Sequence, residues 1–396
     1  MHILIIPSTY PSPENQTSGI FYRDQALALR KAGHSVAVLV APIVKSKRKI
    51  LSGDLSFYKN DIKTYNDHGV RTIILKYWSW IPFSFFPALQ FLNIKKMQEE
   101  MLDIFLSYSQ QYGMPDVIHA HTAIWGGVLG CFLKKKTKLP FILTEHSTGF
   151  SRKIYKPWQL TYAQKTFQSA DVLLAVSESL SDAIKQLDKK LSVLVLGNIV
   201  STDYFQPTEQ LSPNNPFTIT SIGFLDAKKN FSLLIRAFAK AFKRDNRAML
   251  NIVGNGAEKR MLEKLSKELG LEKKVKFWGH LERSKVLQII QNSHIIISSS
   301  NIETFGVTLI EAHSCGKPVI ATRSGGPEDF VTKENGILVP IGDVNALAEA
   351  MQRMIENYGH YDPEKIRSEC TDRFGEIAIT RQLEKIYQDA IEAHAG

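Results

Sequence analysis

Two glutamates eight residues apart, Glu303 and Glu311, are the most informative pair of chemically active side chains in the sequence. A predicted strand ends near Ser298, a polar loop containing Glu303 follows, and a helix containing Glu311 begins near Gly306. Free N–H groups at a helix start favour an anion such as a phosphate, and the two carboxylates can accept hydrogen bonds from sugar or ribose hydroxyls. For either glutamate alone, a capped surface helix with unrelated acidic residues is the simpler interpretation.

Three further predicted strands are followed by glycines or lysines. Gly223 and Lys228-Lys229 follow one strand, Gly254-Asn255-Gly256 follow another, and Gly325-Gly326 follow a third. A lysine beside a helix start suits a diphosphate, and glycines allow the main chain to approach a ligand closely. Each feature alone is typical of an exposed turn. Together, these strand ends favour a pocket for a nucleotide sugar.

The elements that must position these residues are short β-branched runs that alternate with amphipathic stretches. The predicted strands are Ile3–Ile6, Ser35–Val40, Val70–Leu75, Val117–His119, Phe141–Thr144, Val172–Ala175, Val193–Leu196, Thr218–Ile222, Met249–Val253, Val275–Trp278, Ile295–Ser298 and Pro318–Ala321. The predicted helices include Asp24–Ala32, Leu180–Leu187, Leu233–Phe242, Glu258–Leu269, Lys285–Asn292, Leu309–Ser314 and Ala346–Glu356. This alternation predicts an α/β fold with two doubly wound, Rossmann-like domains facing across a cleft, where ligands bind beyond the carboxyl ends of the strands.

The composition is that of an ordinary globular protein of two domains. The 396 residues are 44% hydrophobic, and the proline-rich stretch Asn198–Pro216 is the predicted domain boundary, which gives domains at residues 1–200 and 201–376. Three widely spaced cysteines indicate neither a disulfide framework nor a metal site, so we expect a reducing compartment. We expect no signal peptide, because a strand begins almost at the first residue.

The net charge of +10 lies entirely in the first half of the sequence. Residues 1–200 contain 24 Lys+Arg and 14 Asp+Glu, whereas residues 201–396 contain 25 of each, and the basic clusters are at 45–49 and 134–138. An anionic membrane surface, an anionic substrate and a merely solvated surface all remain open. No nucleic-acid-binding motif accompanies the charge, so we expect no nucleic acid partner.

The aromatic run at 77–86 is the main feature that bears on membranes. The uncharged stretch Tyr77–Ile94 has 18 residues, but Pro82 and Pro87 interrupt it, which argues against a membrane-spanning helix. The run is either an interfacial anchor beside basic groups or ordinary core packing.

With these motifs in order, the sequence resembles the retaining nucleotide-sugar glycosyltransferases of family 4, which have the GT-B fold. The resemblance covers nearly the whole chain. Its sharpest element is the E-x7-E pattern of ETFGVTLIE, and the flanking motifs are CGKPVIAT, GGPE, VGNG and VKFWGHL. The resemblance implies an acceptor-side first domain, a donor-binding second domain, and a last helix, within 377–396, that crosses back to the first domain.

The resemblance also implies residue roles at the donor site. Glu311 would bind the ribose, Glu303 would hold the sugar hydroxyls and Lys229 would pair with the phosphates. The other implied donor-binding residues are Gly19, Gly223, Gly254, Gly256, His280, Leu281, Phe305, Gly306, Val307 and Thr308. One departure is Phe224, which occupies a position where the family often has arginine. Lys228, Arg323 or the helix N-terminus are the candidate substitutes for that missing cation.

The first domain supplies a second group of candidates. His119 and His121 form an H-x-H pair at a strand end, which suggests metal binding, but no acidic or cysteine ligand completes the site and a structural role is the simpler interpretation. The resemblance implies that His121 contacts the donor sugar, so His121, Glu303 and Lys229 are the predicted catalytic residues. It assigns His146 and Glu145 to the acceptor side.

The predicted activity is transfer of a sugar, with retention, from a UDP- or GDP-sugar to a hydroxyl of a saccharide or lipid-linked acceptor. We expect no metal and no other cofactor, because an Asp-x-Asp pattern is missing. Surface polysaccharide or glycoconjugate synthesis is the expected setting, at a cytoplasmic or peripheral membrane location. The alternatives are a non-hydrolysing sugar-nucleotide epimerase and a non-catalytic sugar-nucleotide-binding subunit.

Overall fold

The computed structural model describes residues 1–12, 17–41, 43–44, 61–78, 90–208 and 216–395. These residues form two compact units, which are treated separately below. Unit 1 comprises residues 1–175, 181–196 and 380–396, and unit 2 comprises residues 176–180 and 197–379. The boundaries differ from the predicted ones at 176–180 and 197–200, which we had placed in the first domain, and the last helix joins unit 1 from Thr380 onward.

The described residues of unit 1 form a nine-stranded sheet with the order β3-β5-β2-β1-β6-β7-β8-β9, in which β4 pairs with β5. All pairings are parallel except that of β4 with β5. The elements are β1 (His2–Ile6), α1 (Ile20–Lys31), β2 (Ser35–Val40), β3 (Ile43–Val44), β4 (Asp61–Asp67), β5 (Val70–Trp78), α2 (Gln90–Tyr112), β6 (Val117–His121), α3 (Val128–Thr137), β7 (Phe141–Glu145), α4 (Pro157–Ser169), β8 (Val172–Ala175), α5 (Glu178–Lys185) and β9 (Leu194–Val195).

Unit 2 is built on a six-stranded, entirely parallel sheet with the order β12-β11-β10-β13-β14-β15. The elements are β10 (Phe217–Ile222), α6 (Phe231–Phe242), β11 (Ala248–Val253), α7 (Lys259–Glu268), β12 (Val275–Gly279), α8 (Arg283–Gln291), β13 (Ile295–Ser298), α9 (Val307–Ser314), β14 (Val319–Thr322), β15 (Gly336–Val339), α10 (Val344–Glu356) and α11 (Pro363–Phe374). The last helix, α12 (Glu376–Ala395), begins in unit 2 and belongs to unit 1 from Thr380 onward. The predicted α/β class with two Rossmann-like domains is confirmed.

The central strands are short apolar runs because helices cover both faces of each sheet. The strands β1 and β14 are almost completely buried along their length, and in unit 2 the aromatic side chains of Phe238 and Phe242 on α6 are fully buried in the core. Burial on both faces removes the alternation of polar and apolar residues that an exposed sheet would show.

The prediction missed three of the described strands, β3, β4 and β15. The exposed strand β4 carries mostly polar residues and pairs antiparallel with β5 through a turn at His68-Gly69, and β15 is only four residues long. The long helix α2 was also not among the predicted elements. None of the helices that the structure describes combines the length and apolar character needed to cross a membrane.

Several predicted surface features fall partly or wholly outside the described residues. These are the basic cluster at 45–49, the aromatic residues 79–86 and positions 209–215 of the predicted boundary. Within the described part, Lys134 of the second basic cluster pairs with Asp171 at 2.6 Å, so this lysine has a structural role.

The C-terminal helix α12 is anchored within unit 1 by three polar contacts. The hydroxyl of Tyr387 lies 2.7 Å from Nδ1 of His119, Glu384 lies 2.8 Å from Nε2 of His34, and His394 lies 3.0 Å from Asp171. Tyr387 is fully buried, so its hydroxyl satisfies a histidine that water cannot reach.

We expect Tyr387→Phe to lower the free energy of unfolding by about 1–2 kcal/mol, because His119 would lose a buried hydrogen-bond partner. Urea unfolding would measure the change. Tyr112→Phe, at an exposed ring, is the matched control and should leave the unfolding midpoint unchanged. Equal midpoints for the two variants would show that the Tyr387 hydroxyl contributes no stability.

Candidate active site

The central contact of the candidate site in unit 2 is an ion pair between Lys229 and Glu303. Lys229 follows β10 and Glu303 follows β13, and these two strands are neighbours in the sheet, so both side chains lie at its carboxyl edge. The Lys229 ammonium contacts Oε2 of Glu303, and the two side chains are only 20% and 13% exposed. A third group, Oγ of Ser300, lies 3.4 Å from the same carboxylate oxygen.

Hydrogen bonds between the two loops fix this ion pair in place. The main-chain N–H of Asn301 donates to the carbonyl of Lys228 at 2.7 Å, and the Asn230 amide donates to the Asn301 side chain at 3.0 Å. The hydroxyl of Ser299 donates to the carbonyl of Lys229 at 3.0 Å. Our prediction missed these residues, although the polar run Ser298–Asn301 after a buried strand was the available signal.

The GGPE segment holds the main chain of Glu303 from the other side. The N–H of Glu303 donates to the carbonyl of Ser324 at 2.9 Å, and the N–H of Gly326 donates to the carbonyl of Glu303 at 2.8 Å. A Cβ atom at Gly326 would lie 2.3 Å from Cα of Phe305, which requires glycine there. The role of this glycine in the structure is therefore close packing of two loops.

The N-terminus of α9 lies just beyond Glu303. Gly306 caps this helix with φ of 103°, a conformation that favours glycine, and the first N–H groups of a helix, here at Val307 and Thr308, have no acceptor within the helix. Glu311 follows about one turn later and is buried to 8% exposure. Phe305 is buried, and its ring packs against Phe330 and Phe374.

The glycines after β10 and β11 bring two loops into main-chain contact. Gly254 has φ of 140°, and a Cβ atom there would lie 1.8 Å from the carbonyl oxygen of Gly223. A Cβ atom at Gly256 would lie 2.3 Å from the carbonyl oxygen of Leu225. The N–H of Gly254 also donates to the carbonyl of Gly279, just before His280 and Leu281. The structure thus brings the predicted base-binding positions to neighbouring strand ends.

The position that often carries arginine in the family is occupied by an exposed aromatic ring. Phe224 is 71% exposed. Of the candidate substitutes, the Lys228 ammonium lies 3.9 Å from Asp226, and the Arg323 guanidinium lies 3.6 Å from Glu328. Both cations therefore already have a carboxylate partner, whereas the N-terminus of α9 lies in the same loop as Glu303.

Unit 1 contains a cluster of three histidines, the buried His119 and His121 of β6 and the partly exposed His146 after β7. Nδ1 of His121 lies 3.0 Å from Nε2 of His146, and Nε2 of His119 lies 2.8 Å from the Thr144 hydroxyl. Burial, with the neighbouring histidines adding to it, lowers the pKa of His119 to about 3 and the pKa of His121 well below its usual value. These two side chains are therefore neutral at pH 7.

Nε2 of His121 is a buried nitrogen of this cluster. Nε2 of His121 has no hydrogen-bond partner among the described residues, although the side chain is completely buried. Nearby, Gly19 caps α1 with φ of 74°, and a Cβ atom there would lie 2.6 Å from the Thr9 carbonyl oxygen. Of the two predicted residues, Gly19 lies between β1 and α1, and His121 is the last residue of β6.

Glu145 does not have the arrangement expected of an acceptor-binding residue. It is completely buried, and its carboxylate accepts hydrogen bonds from the N–H groups of Ala123, His146 and Ser147 at 2.7–2.9 Å. Burial raises the pKa of Glu145 to about 7, although the three N–H groups oppose the rise. This geometry favours a structural role, in which the side chain orders the loops after β6 and β7.

The described part of both units contains no group of three or more His, Cys, Asp or Glu side chains arranged to hold a metal ion. In the H-x-H pair of β6, both nitrogens of His119 already have hydrogen-bond partners, Tyr387 and Thr144. The structural interpretation of His119 is therefore the one that its contacts favour.

Sequence models of two domains match the chain in succession. The model described as Glycosyltransferase Family 4 matches residues 19–203, and the model described as Glycosyl transferases group 1 matches residues 204–373. Among curated proteins, the chain is 26% identical to a D-inositol 3-phosphate glycosyltransferase of Corynebacterium aurimucosum, over 70% of this chain and 72% of that protein. It is 25% identical to a probable sucrose-phosphate synthase of Thermosipho melanesiensis, over 94% and 90% of the two chains.

Solved structures show the same fold over the full length. The sucrose-phosphate synthase from Thermosynechococcus elongatus has a TM-score of 0.78 at 23% identity, covering 99% of this chain and 100% of that one. HepE of Anabaena, solved in complex with UDP, has a TM-score of 0.73 at 21% identity, covering 98% and 100%. The predicted GT-B fold and the resemblance to family 4 are confirmed.

We expect Gly254→Ala to lower the free energy of unfolding by about 2 kcal/mol or more, because the added Cβ cannot fit against the Gly223 carbonyl and the backbone conformation favours glycine. Gly359→Ala is the matched control, since a Cβ atom there meets nothing within 4 Å. Urea unfolding of both variants is the measurement. Similar losses at both positions would contradict the close loop packing.

We expect acid to destabilise the wild-type protein relative to His121→Asn. Because His121 has a lowered pKa only when folded, the unfolded chain binds the extra proton below about pH 6.5, so this contribution to stability is lost as the pH falls. Between pH 6.5 and 5.5 the wild-type free energy of unfolding should drop by about 1 kcal/mol relative to the variant.

Urea titrations at the two pH values would measure this difference, and the opposing titration of Glu145 cancels because it is present in both proteins. His68→Asn, in the exposed turn after β4, is the control and should follow the wild type. Parallel pH profiles for the wild type and His121→Asn would contradict a neutral, buried His121.

Proposed function

Because the chain belongs to the family 4 glycosyltransferases, we propose that it transfers a sugar from a nucleoside-diphosphate sugar to a hydroxyl group of a saccharide or lipid-linked acceptor. The donor is a UDP- or GDP-sugar. The observation that carries the proposal is the Lys229–Glu303 pair beside the N-terminus of α9, with Glu311 one turn further along that helix. One cation, free N–H groups and two carboxylates match the phosphates and the hydroxyls of such a donor.

In the proposed mechanism, the difficult step is departure of the nucleoside diphosphate as negative charge develops on it. Lys229 and the N–H groups of Val307 and Thr308 stabilise that charge, and they are already in place because the loop hydrogen bonds hold them. Glu303 orients the sugar through its hydroxyls, and Glu311 accepts hydrogen bonds from the ribose. The roles of Gly19, His121 and His146 toward the substrates stay predictions of the same proposal.

We further propose that the transfer retains the configuration at the anomeric carbon and needs no divalent cation. The electrostatic groups named above can stabilise the diphosphate without a metal ion. Synthesis of surface polysaccharide or another glycoconjugate, by a cytoplasmic protein or one bound peripherally to a membrane, is the proposed setting. It rests on the resemblance and on the basic first half of the chain.

We expect UDP or GDP to raise the melting temperature in the presence of EDTA, because a ligand that binds only the folded state stabilises it by mass action. Lys229→Gln should weaken binding by about 10- to 100-fold, since it removes a charge-assisted contact to the diphosphate. Glu311→Ala should weaken nucleotide binding as well, whereas pyrophosphate binding should survive that change. Thermal shift over a ligand titration is the measurement.

Lys264→Gln, at a lysine that is 78% exposed on α7, removes the same charge elsewhere and should leave nucleotide binding unchanged. Equal weakening in Lys229→Gln and Lys264→Gln would show that the proposed donor site is wrong.

An assay of donor-sugar turnover with and without an acceptor distinguishes a transferase from an epimerase and from a binding subunit. An epimerase converts the donor sugar without an acceptor, a transferase consumes donor only with an acceptor, and a binding subunit does neither.

A further inference from the structure

Unit 2 has a cavity whose lining includes none of Lys229, Glu303 and Glu311. It has a volume of about 560 Å³ and lies along β15, the edge strand of the six-stranded sheet, beneath the end of α10. Cavities of this size are typical of sites for small molecules. Among the described residues β15 pairs with β14 alone, and Gly336, Ile337 and Leu338 of this edge strand line the cavity.

The charged side chains that line the cavity are all basic. Arg323 follows β14, Lys333 precedes β15 and Arg353 lies in the last turn of α10, and His360 adds an imidazole. No aspartate or glutamate is among the lining residues, all of which the structure describes. Such a concentration of positive charge among the lining residues favours an anionic ligand.

The cationic groups differ in how they are already paired. Arg323 lies 3.6 Å from Glu328, so a ligand would compete with that exposed carboxylate. Lys333 and Arg353 form no ion pair within the described residues. Arg353 and Tyr361 both line the cavity; burial raises the pKa of Tyr361, and the positive charge of Arg353 opposes the rise. Guanidinium groups bind phosphate through two parallel hydrogen bonds.

The other lining residues favour a ligand in which the phosphate is attached to an organic group with hydroxyls. Asn357 and Thr332 offer groups that hydrogen-bond hydroxyls, while Ile337, Leu338 and the ring of Tyr361 add apolar surface. We propose that this cavity binds a small phosphate ester, such as a sugar phosphate, at a site that adjoins the loop after β14 but includes none of Lys229, Glu303 and Glu311. The proposal is independent of the donor assignment, because the ion pair Lys229–Glu303 is not part of the cavity.

The test is isothermal titration of the full-length protein with glucose 6-phosphate as the probe, with and without saturating UDP. We expect binding of one equivalent, with an affinity that UDP and Lys229→Gln change by less than about twofold. Arg353→Gln and Lys333→Gln should each weaken it by about tenfold or more, because each removes a charge-assisted contact. Glucose, which lacks the phosphate, should not bind at the same concentrations.

Arg244→Gln is the matched control, because it removes the same charge from an exposed arginine after α6 and should leave the affinity unchanged. Melting temperatures without ligand would show that the variants remain folded. No binding of the probe, or equal loss in Arg244→Gln and Arg353→Gln, would overturn the proposal. So would binding that UDP and Lys229→Gln abolish but Arg353→Gln does not, since the probe would then occupy the donor site.

Discussion

The ion pair between Lys229 and Glu303 is the interaction on which the candidate donor site depends. It joins the loops after two adjacent parallel strands, β10 and β13, and neutralises two charges that are largely withdrawn from water. Removing either partner would leave the other as an uncompensated, partly buried charge. The hydrogen bonds of Asn301 and Ser299 to the β10 loop then hold the pair in one geometry. The ammonium is thus ordered before any ligand arrives.

Glycines allow the loops at the neighbouring strand ends to pack closely against each other. Gly254 and Gly326 allow main chains to touch where any other residue would clash, so the loops after β10, β11, β13 and β14 form a continuous packed layer. Unit 1 shows a related arrangement with different chemistry. There, the carboxylate of Glu145 and the neutral histidines order the loops after β6 and β7 through buried hydrogen bonds. Rigid loops on parallel sheets position functional groups in both units.

Prediction succeeded where the sequence pattern has a local physical cause. Central strands such as β2, β8 and β13 were predicted with their observed bounds, because burial on both faces makes them uninterrupted apolar runs. The exposed strand β4 lacks such a run, since its polar residues pair along an edge. Lys229, Glu303 and Gly306 were selected as candidate site residues because glycines, charges and strand ends recur in order, and their roles toward a donor stay predictions. Glu145 was assigned to the acceptor because a strand end alone does not reveal what a side chain contacts.

The sequence by itself determined the α/β class, the succession of strands and the residues that follow them, because these depend on hydrophobic pattern and on turn chemistry between neighbouring residues. The pairing of Lys229 with Glu303, 74 positions apart, was decided only by the order of strands in the folded sheet. The same holds for Tyr387 and His119, and for the basic cavity along β15. Contacts between distant positions depend on which strands and helices become neighbours, and that is a property of the packed structure.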